Sequence, residues 1–215
     1  MKYGTLPHEV GTIENGIDEM MFYQYLPIKD KDSFYFSIPS RLDNDFITEL
    51  LTVVNNDFIN LRGVKEFKEN YVYLTVKQIY TTTANNLNRP GIHSDGFMTN
   101  DINYIWSNEM PTIFYSGEFP NVPMDDNKSI EYFEQQKSKC ERVVYPTNTI
   151  LRLNQFNIHE TNTIEEFNGL RCFAKVSYSK DKYDLKGNAR NDIITHDWEY
   201  RERSQTRNIP QKIKP

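Results

Sequence analysis

A few of the 215 residues combine side-chain type and spacing in a way that could do chemistry. His93-Ser94-Asp95 is followed far downstream by a single His159 in an apolar-flanked stretch, and Gly169-Leu170-Arg171 heads an alternating run. Two neutral imidazoles and one carboxylate on one face of an ion satisfy Fe(II) and leave the opposite face open for substrate and dioxygen. His93 and Asp95 stand two apart, so on extended backbone they leave the same face and can grip one ion. His159 must then arrive from a distant strand. Arg171, twelve residues further on, leaves room for a turn and a return strand that brings its guanidinium near the metal. There it could hold a carboxylate in a bidentate fork, and a dicarboxylate chelating the metal would end on it.

The elements that must position these residues are legible as patterns. Met20 to Ile28 is a short apolar, aromatic-rich run closed by Lys29-Asp30-Lys31-Asp32, which predicts an early strand. From Asp43 as cap to a stop at Asn55-Asn56, Phe46, Leu50, Leu51 and Val54 recur at three and four, which predicts a helix packed on a sheet. Asn70 to Thr82, β-branched and aromatic throughout, predicts a long strand leading toward His93. Asn88-Arg89-Pro90-Gly91 before the motif and Gly96 after it read as turns, which places His93 and Asp95 at a strand end beside a loop. Short strands follow over Ile102 to Trp106, Thr112 to Tyr115, Arg142 to Tyr145 and Thr149 to Phe156. Ser129 to Lys139 reads as an inserted helix that could act as a lid. Arg171 to Tyr178 returns as a strand, expected as the antiparallel neighbour of the one carrying His159.

His93-x-Asp95, His159 and Arg171, in this order, resemble the metal and cosubstrate residues of the Fe(II)- and 2-oxoglutarate-dependent dioxygenases. The resemblance covers roughly Tyr71 to Tyr178. It implies a mostly β fold, a double-stranded β-helix or jelly roll with flanking helices. It further implies His93, Asp95 and His159 as iron ligands, Arg171 as partner of the distal carboxylate of 2-oxoglutarate, and hydroxylation of a C–H bond with release of succinate and CO2. Many members carry Ser or Thr two residues after that arginine, where this chain has Phe173, so one hydroxyl contact must be missing or come from elsewhere. Tyr80, before the motif, and Tyr104, after it, stand where such an enzyme could place a tyrosine on the cosubstrate; each also reads as a core aromatic. Arg89 could bind a substrate anion at the mouth or cap its own turn. Asn103 and Trp106 could meet a substrate, but in a chain so rich in Asn and aromatics they carry no assignment.

Size and composition fit one catalytic domain, with the jelly-roll core at about 70–180 and a polar, basic arm from 180 to 215. Fourteen Tyr and thirteen Phe against nine Gly favour strands over a helical bundle. A net charge of -5 excludes a protein that simply coats nucleic acid, which needs clustered Lys and Arg. Two cysteines, Cys140 and Cys172, form no disulfide framework and no zinc spacing. By strand alternation Cys172 should face away from Arg171 as a core filler. The first residues lack a basic start and apolar core, and no stretch approaches the roughly eighteen apolar residues of a membrane span. A reducing cytoplasm, with no membrane partner, is therefore the expectation. Beyond Ser179 the polar pattern predicts a solvated arm, with His196 and Trp198 structural and His8 exposed.

Two other classes compete with the oxygenase. A cupin-like metal enzyme or isomerase on a similar barrel would use His and carboxylate ligands without needing Arg171. A noncatalytic jelly-roll protein would need no metal at all. Substrate and oligomeric state have no signature in the sequence.

Overall fold

A computed structural model describes residues 2–82, 91–162 and 166–203. Among these described residues, ten strands form two sheets. They are β1 (His8–Thr12), β2 (Met21–Lys29), β3 (Tyr71–Thr82), β4 (His93–Ser94), β5 (Ile102–Ser107), β6 (Ile113–Ser116), β7 (Glu141–Val144), β8 (Thr149–Leu153), β9 (Ile158–Glu160) and β10 (Asn168–Ser179). Three α-helices, α1 (Asp45–Arg62), α2 (Val64–Glu69) and α3 (Asp126–Gln136), lie among them. The larger sheet has the order β1-β8-β5-β10-β3-β2 and the smaller β4-β9-β6-β7. From β3 onward the chain crosses between sheets at every connection except β6 to β7, and every paired neighbour is antiparallel. This winding is a double-stranded β-helix, the jelly roll.

Helix α1 starts where the Asn44 side chain accepts from the Ile47 N–H at 3.0 Å, one residue after the Asp43 cap expected from the sequence. It also runs past Asn55-Asn56 to Gly63, whose φ of +86° ends it. Tertiary packing overrides the weak helix propensity of the two asparagines: Phe58, one turn beyond, stacks on Tyr178 with centroids 4.0 Å apart. The buried face of α1 covers the outer face of the larger sheet. There Val72, Leu74 and Val76 of β3 and Cys172, Ala174, Val176 and Tyr178 of β10 form one core with Phe46, Leu50 and Val54. The period of two then sends Arg171, Phe173 and Lys175 to the other face, between the sheets. Cys172 is buried in that core, as strand alternation requires.

The structure departs from the sequence reading in three further places. His8–Thr12, without a strand signal, pairs with β8 as an edge. His159 and Arg171 do not lie on neighbouring strands: β9 pairs with β4 and β6, β10 with β3 and β5. A jelly roll alternates sheets, so consecutive strands face each other across the interior. The inserted helix expected over Ser129 to Lys139 is α3, which seats Phe133 on the outer face of the smaller sheet, against Ile113, Tyr115 and Ile158. Finally, residues 180–203 are not a solvated arm. Tyr183 stacks on Tyr73 at 4.1 Å, and Asn191 donates to Pro27 O and Ser37 O at 2.9 and 2.7 Å. His196, stacked on Trp198, also bonds Asp30 at 2.6 Å. No helix among the described residues is long and apolar enough to cross a membrane.

Candidate metal centre

The pairing of β4 with β9 sets His93 directly opposite His159. Their rings approach to 4.6 Å between centroids. Asp95 begins the turn that follows β4. Gly96 gives that turn its φ of +67°, and a Cβ there would lie 2.8 Å from Thr99 Oγ1. The connection from β8 to β9 staples the turn in place. Ser94 Oγ donates to Gln155 O at 2.6 Å, Gln155 Nε2 donates to Thr99 O at 2.7 Å, and Met98 N donates to Gln155 Oε1 at 3.1 Å. One ligand atom from each of His93, Asp95 and His159 then lies within 4.8 Å of the others, a cluster that could hold a metal ion.

The imidazoles are oriented for that task. His93 Nδ1 lies 2.9 Å from Gly91 O, and His159 Nδ1 lies 2.9 Å from Asn157 O. A backbone carbonyl can only accept, so each Nδ1 carries the proton and each Nε2 keeps its lone pair for the centre. Burial alone would raise the Asp95 carboxyl; the Lys175 ammonium beside it holds it well below the usual carboxylate range. Lys175 Nζ stands 2.7 Å from Asp95 Oδ2, and His159 Nε2 3.6 Å from the same oxygen. Two neutral nitrogens and one ionised oxygen are the donor set of a non-haem ferrous site, so the residues present fit that metal.

A cavity of roughly 120 Å³ opens from these donors between the two sheets. Arg171 lies on its wall, buried, with Nε donating to Glu109 O at 2.9 Å and an Nη to Met110 O at 3.2 Å. The turn between β5 and β6 therefore fixes the plane of the guanidinium. Desolvation lowers Arg171 to about 10, still charged at neutral pH. Phe173 lies beside it, with its ring 5.2 Å from the guanidinium carbon.

Two further cations share this wall, and the sequence reading missed both. Lys175 follows Arg171 by four residues on the inward phase of β10, a spacing that strand alternation alone could have flagged. Lys77 is a buried lysine inside the β3 run, pushed down to about 8 by burial first and by Arg171 and Lys175 next. Thr75, two residues before it and paired with Lys175, brings a hydroxyl to the same cavity, on the strand next to the Phe173 position where one was expected.

The two tyrosines are placed elsewhere, which corrects the expectation that either helps hold a cosubstrate. Tyr104 points to the α1 side of the larger sheet, where its hydroxyl donates to Asp57 at 2.7 Å. Tyr80 is 56% exposed and lies off the cavity wall. Both have even numbers on strands whose odd residues face inward, so alternation excludes them. Arg89 lies outside the described residues.

No protein-family model matches the chain, and no curated protein matches it. Two solved structures of the epimerase SnoN are similar to it. One, in complex with Fe3+, alpha ketoglutarate and nogalamycin RO, is 13% identical over 74% of this chain and 74% of its own, at a TM-score of 0.40. The other, described as a non-heme alpha ketoglutarate dependent epimerase from nogalamycin biosynthesis, is 11% identical over 87% of this chain and 78% of its own, at 0.39. So loose a likeness carries no argument about chemistry.

Proposed function

We propose that this chain is an Fe(II)- and 2-oxoglutarate-dependent oxygenase that hydroxylates a C–H bond of a small molecule. The observation that carries the reading is the convergence of His93, Asp95 and His159, with both Nδ1 atoms tied to backbone carbonyls, at the mouth of a cavity that holds the Arg171 guanidinium. Ferrous iron with 2-oxoglutarate and dioxygen, when bound, supplies oxidative decarboxylation to succinate and CO2 coupled to C–H oxidation.

The chain's own residues then have separable tasks. His93 and His159 present Nε2 and Asp95 a carboxylate to the metal. Arg171 and Lys77 give the cavity the positive charge that a dicarboxylate requires, Arg171 as a fixed planar donor and Lys77 as a point charge. The carbonyls of Glu109 and Met110 hold the fork before any ligand arrives, so little ordering is left to be paid on binding. Phe173 and Ile105, beside the cations on the wall, lower the local dielectric and strengthen each charge–charge contact.

Anaerobic titration of Fe(II) and then 2-oxoglutarate into metal-free protein should produce the visible charge-transfer band of the chelate. Arg171→Ala should weaken it by about a hundredfold in 2-oxoglutarate affinity. A folded protein that binds Fe(II) yet gives no band and forms no succinate in air would instead be the cupin-like metal enzyme. One that binds no stoichiometric Fe(II) would be a noncatalytic jelly roll.

A further inference from the structure

A second chamber, of roughly 300 Å³, adjoins the first. Tyr25, Asp95 and Lys175 line both and form the partition. Tyr25 sits at an irregularity in the pairing of β2 with β3, at φ +50°. For a residue other than glycine that is a costly backbone conformation of the kind found beside functional sites. Its ring lies 5.6 Å from Lys175 Nζ and meets Tyr183 edge to face at 5.1 Å. The far wall is the segment after β10, which brings Lys182, Tyr183, Asn188 and Arg203.

The chamber contains an unsatisfied donor. Asn103, 1% exposed, uses Oδ1 to accept from Ser177 Oγ at 2.6 Å. Its Nδ2 has no hydrogen-bond partner among the described residues. Leaving a buried amide N–H unmade costs about 1–3 kcal/mol, and an acceptor oxygen on a ligand would remove that cost. The charges point the same way. Four cations, Lys175, Lys182, Arg201 and Arg203, line the chamber against three acids, Asp95, Asp101 and Asp126; Asp101 accepts from the Tyr183 hydroxyl at 2.7 Å, and Asp184 pairs with Arg201 at 2.5 to 3.2 Å. Lys182 and Arg203 add positive charge at the rim. Arg203 is fixed there by Nε donating to Lys186 O at 2.6 Å and by a bond to Asn188. Asp101 and Asp126 are the acids that share the chamber with them, Asp95 being paired with Lys175.

We infer that this chamber receives the primary substrate of the oxygenase proposed above, and that the substrate is a small organic anion. An oxygen of its carboxylate or phosphate lies on Asn103 Nδ2, its charge faces Lys182 and Arg203, and its apolar part lies against Tyr25 and Tyr183. The inference rests on the oxygenase reading for the reaction but not for the binding.

The test uses benzoate, phenyl phosphate and uncharged benzyl alcohol as probes, titrated calorimetrically into the full chain, metal-free and again with Fe(II) and 2-oxoglutarate under anaerobic conditions. At least one anion should bind about tenfold tighter than benzyl alcohol. Asn103→Asp, which keeps the Ser177 bond and replaces the donor with a charge, should abolish that preference, and so should Lys182→Glu on the exposed rim. Thermal melts of both variants establish that they fold. Equal binding of all three probes, or a preference unchanged in both variants, overturns the inference. If the chelate band fails while the anions bind, the oxygenase reading falls and the anion chamber stands. If the band forms and the anions do not bind, the chamber alone falls.

Discussion

Lys77 shows at the scale of one side chain how a site costs stability. Its ammonium is buried beside Arg171 and Lys175 and titrates in the fold at about 8, against 10.5 for a free lysine. Between those two values the unfolded chain holds a proton that the folded chain has shed, so stability rises with pH from about 8 toward 10. Tyrosines held above their ordinary value, Tyr104 and Tyr178 among them, reverse the trend beyond about 10. Lys77→Met should therefore raise stability at pH 7 by about 1–3 kcal/mol and reduce the rise to the share that Lys29, also lowered to about 8 by burial, contributes, read from urea midpoints at pH 7, 8, 9 and 10. The same variant should lose 2-oxoglutarate affinity at pH 7. In the parent chain that affinity should weaken above about pH 8, as the lysine gives up the charge the dicarboxylate needs. A parent affinity flat from pH 7 to 9 would remove Lys77 from the cosubstrate's partners. His93→Ala or His159→Ala should abolish stoichiometric Fe(II) binding while leaving the far-ultraviolet circular dichroism unchanged, because each imidazole serves the centre more than the core.

Strand alternation decides, at the scale of an element, which residues can reach the site. β10 carries Arg171, Phe173 and Lys175 inward and Cys172, Ala174 and Val176 outward, so one strand serves both cavity and core. The same rule on β5 turns Tyr104 toward Asp57 and Asn103 toward the interior. Tyr104→Phe should thus cost about 1 kcal/mol of stability, the worth of its bond to the Asp57 carboxylate, and leave 2-oxoglutarate affinity unaltered. A loss of that affinity would contradict the placement of Tyr104. Phe58→Ala, which removes the ring stacked on Tyr178, should cost about 3–5 kcal/mol. The strong β pattern of residues 70–82 and the three-and-four spacing of α1 made these elements readable from sequence. Phe58 made α1 longer than its asparagines suggested, because burial of one aromatic ring outweighs two weak propensities.

For the whole molecule, the segment after β10 closes the structure. Tyr183 stacks on Tyr73 and donates to Asp101. Tyr183→Ala should lower stability by about 3 kcal/mol, a fall of roughly 10 °C in melting temperature, measured by calorimetry. A melting temperature unchanged within a degree would return 180–203 to the status of a solvated arm. Local composition made that segment look like an arm, since its polar side chains find their partners on β2 and β3, more than a hundred residues away in sequence. By itself the sequence determined what depends on residue type and local period: the donor set of His93, Asp95 and His159, the inward phase that Arg171 shares with two positions after it, the long strands and the covering helix. Only the tertiary structure decided what depends on contacts between distant segments. It set the pairing of β4 with β9 that brings two imidazoles together, the separation of β9 and β10 into opposing sheets, the burial that makes Lys77 a site residue, and the second chamber walled by the last described segment. Alternation and helical spacing are properties of neighbouring residues, whereas the register between sheets follows from how the whole chain buries its apolar surface.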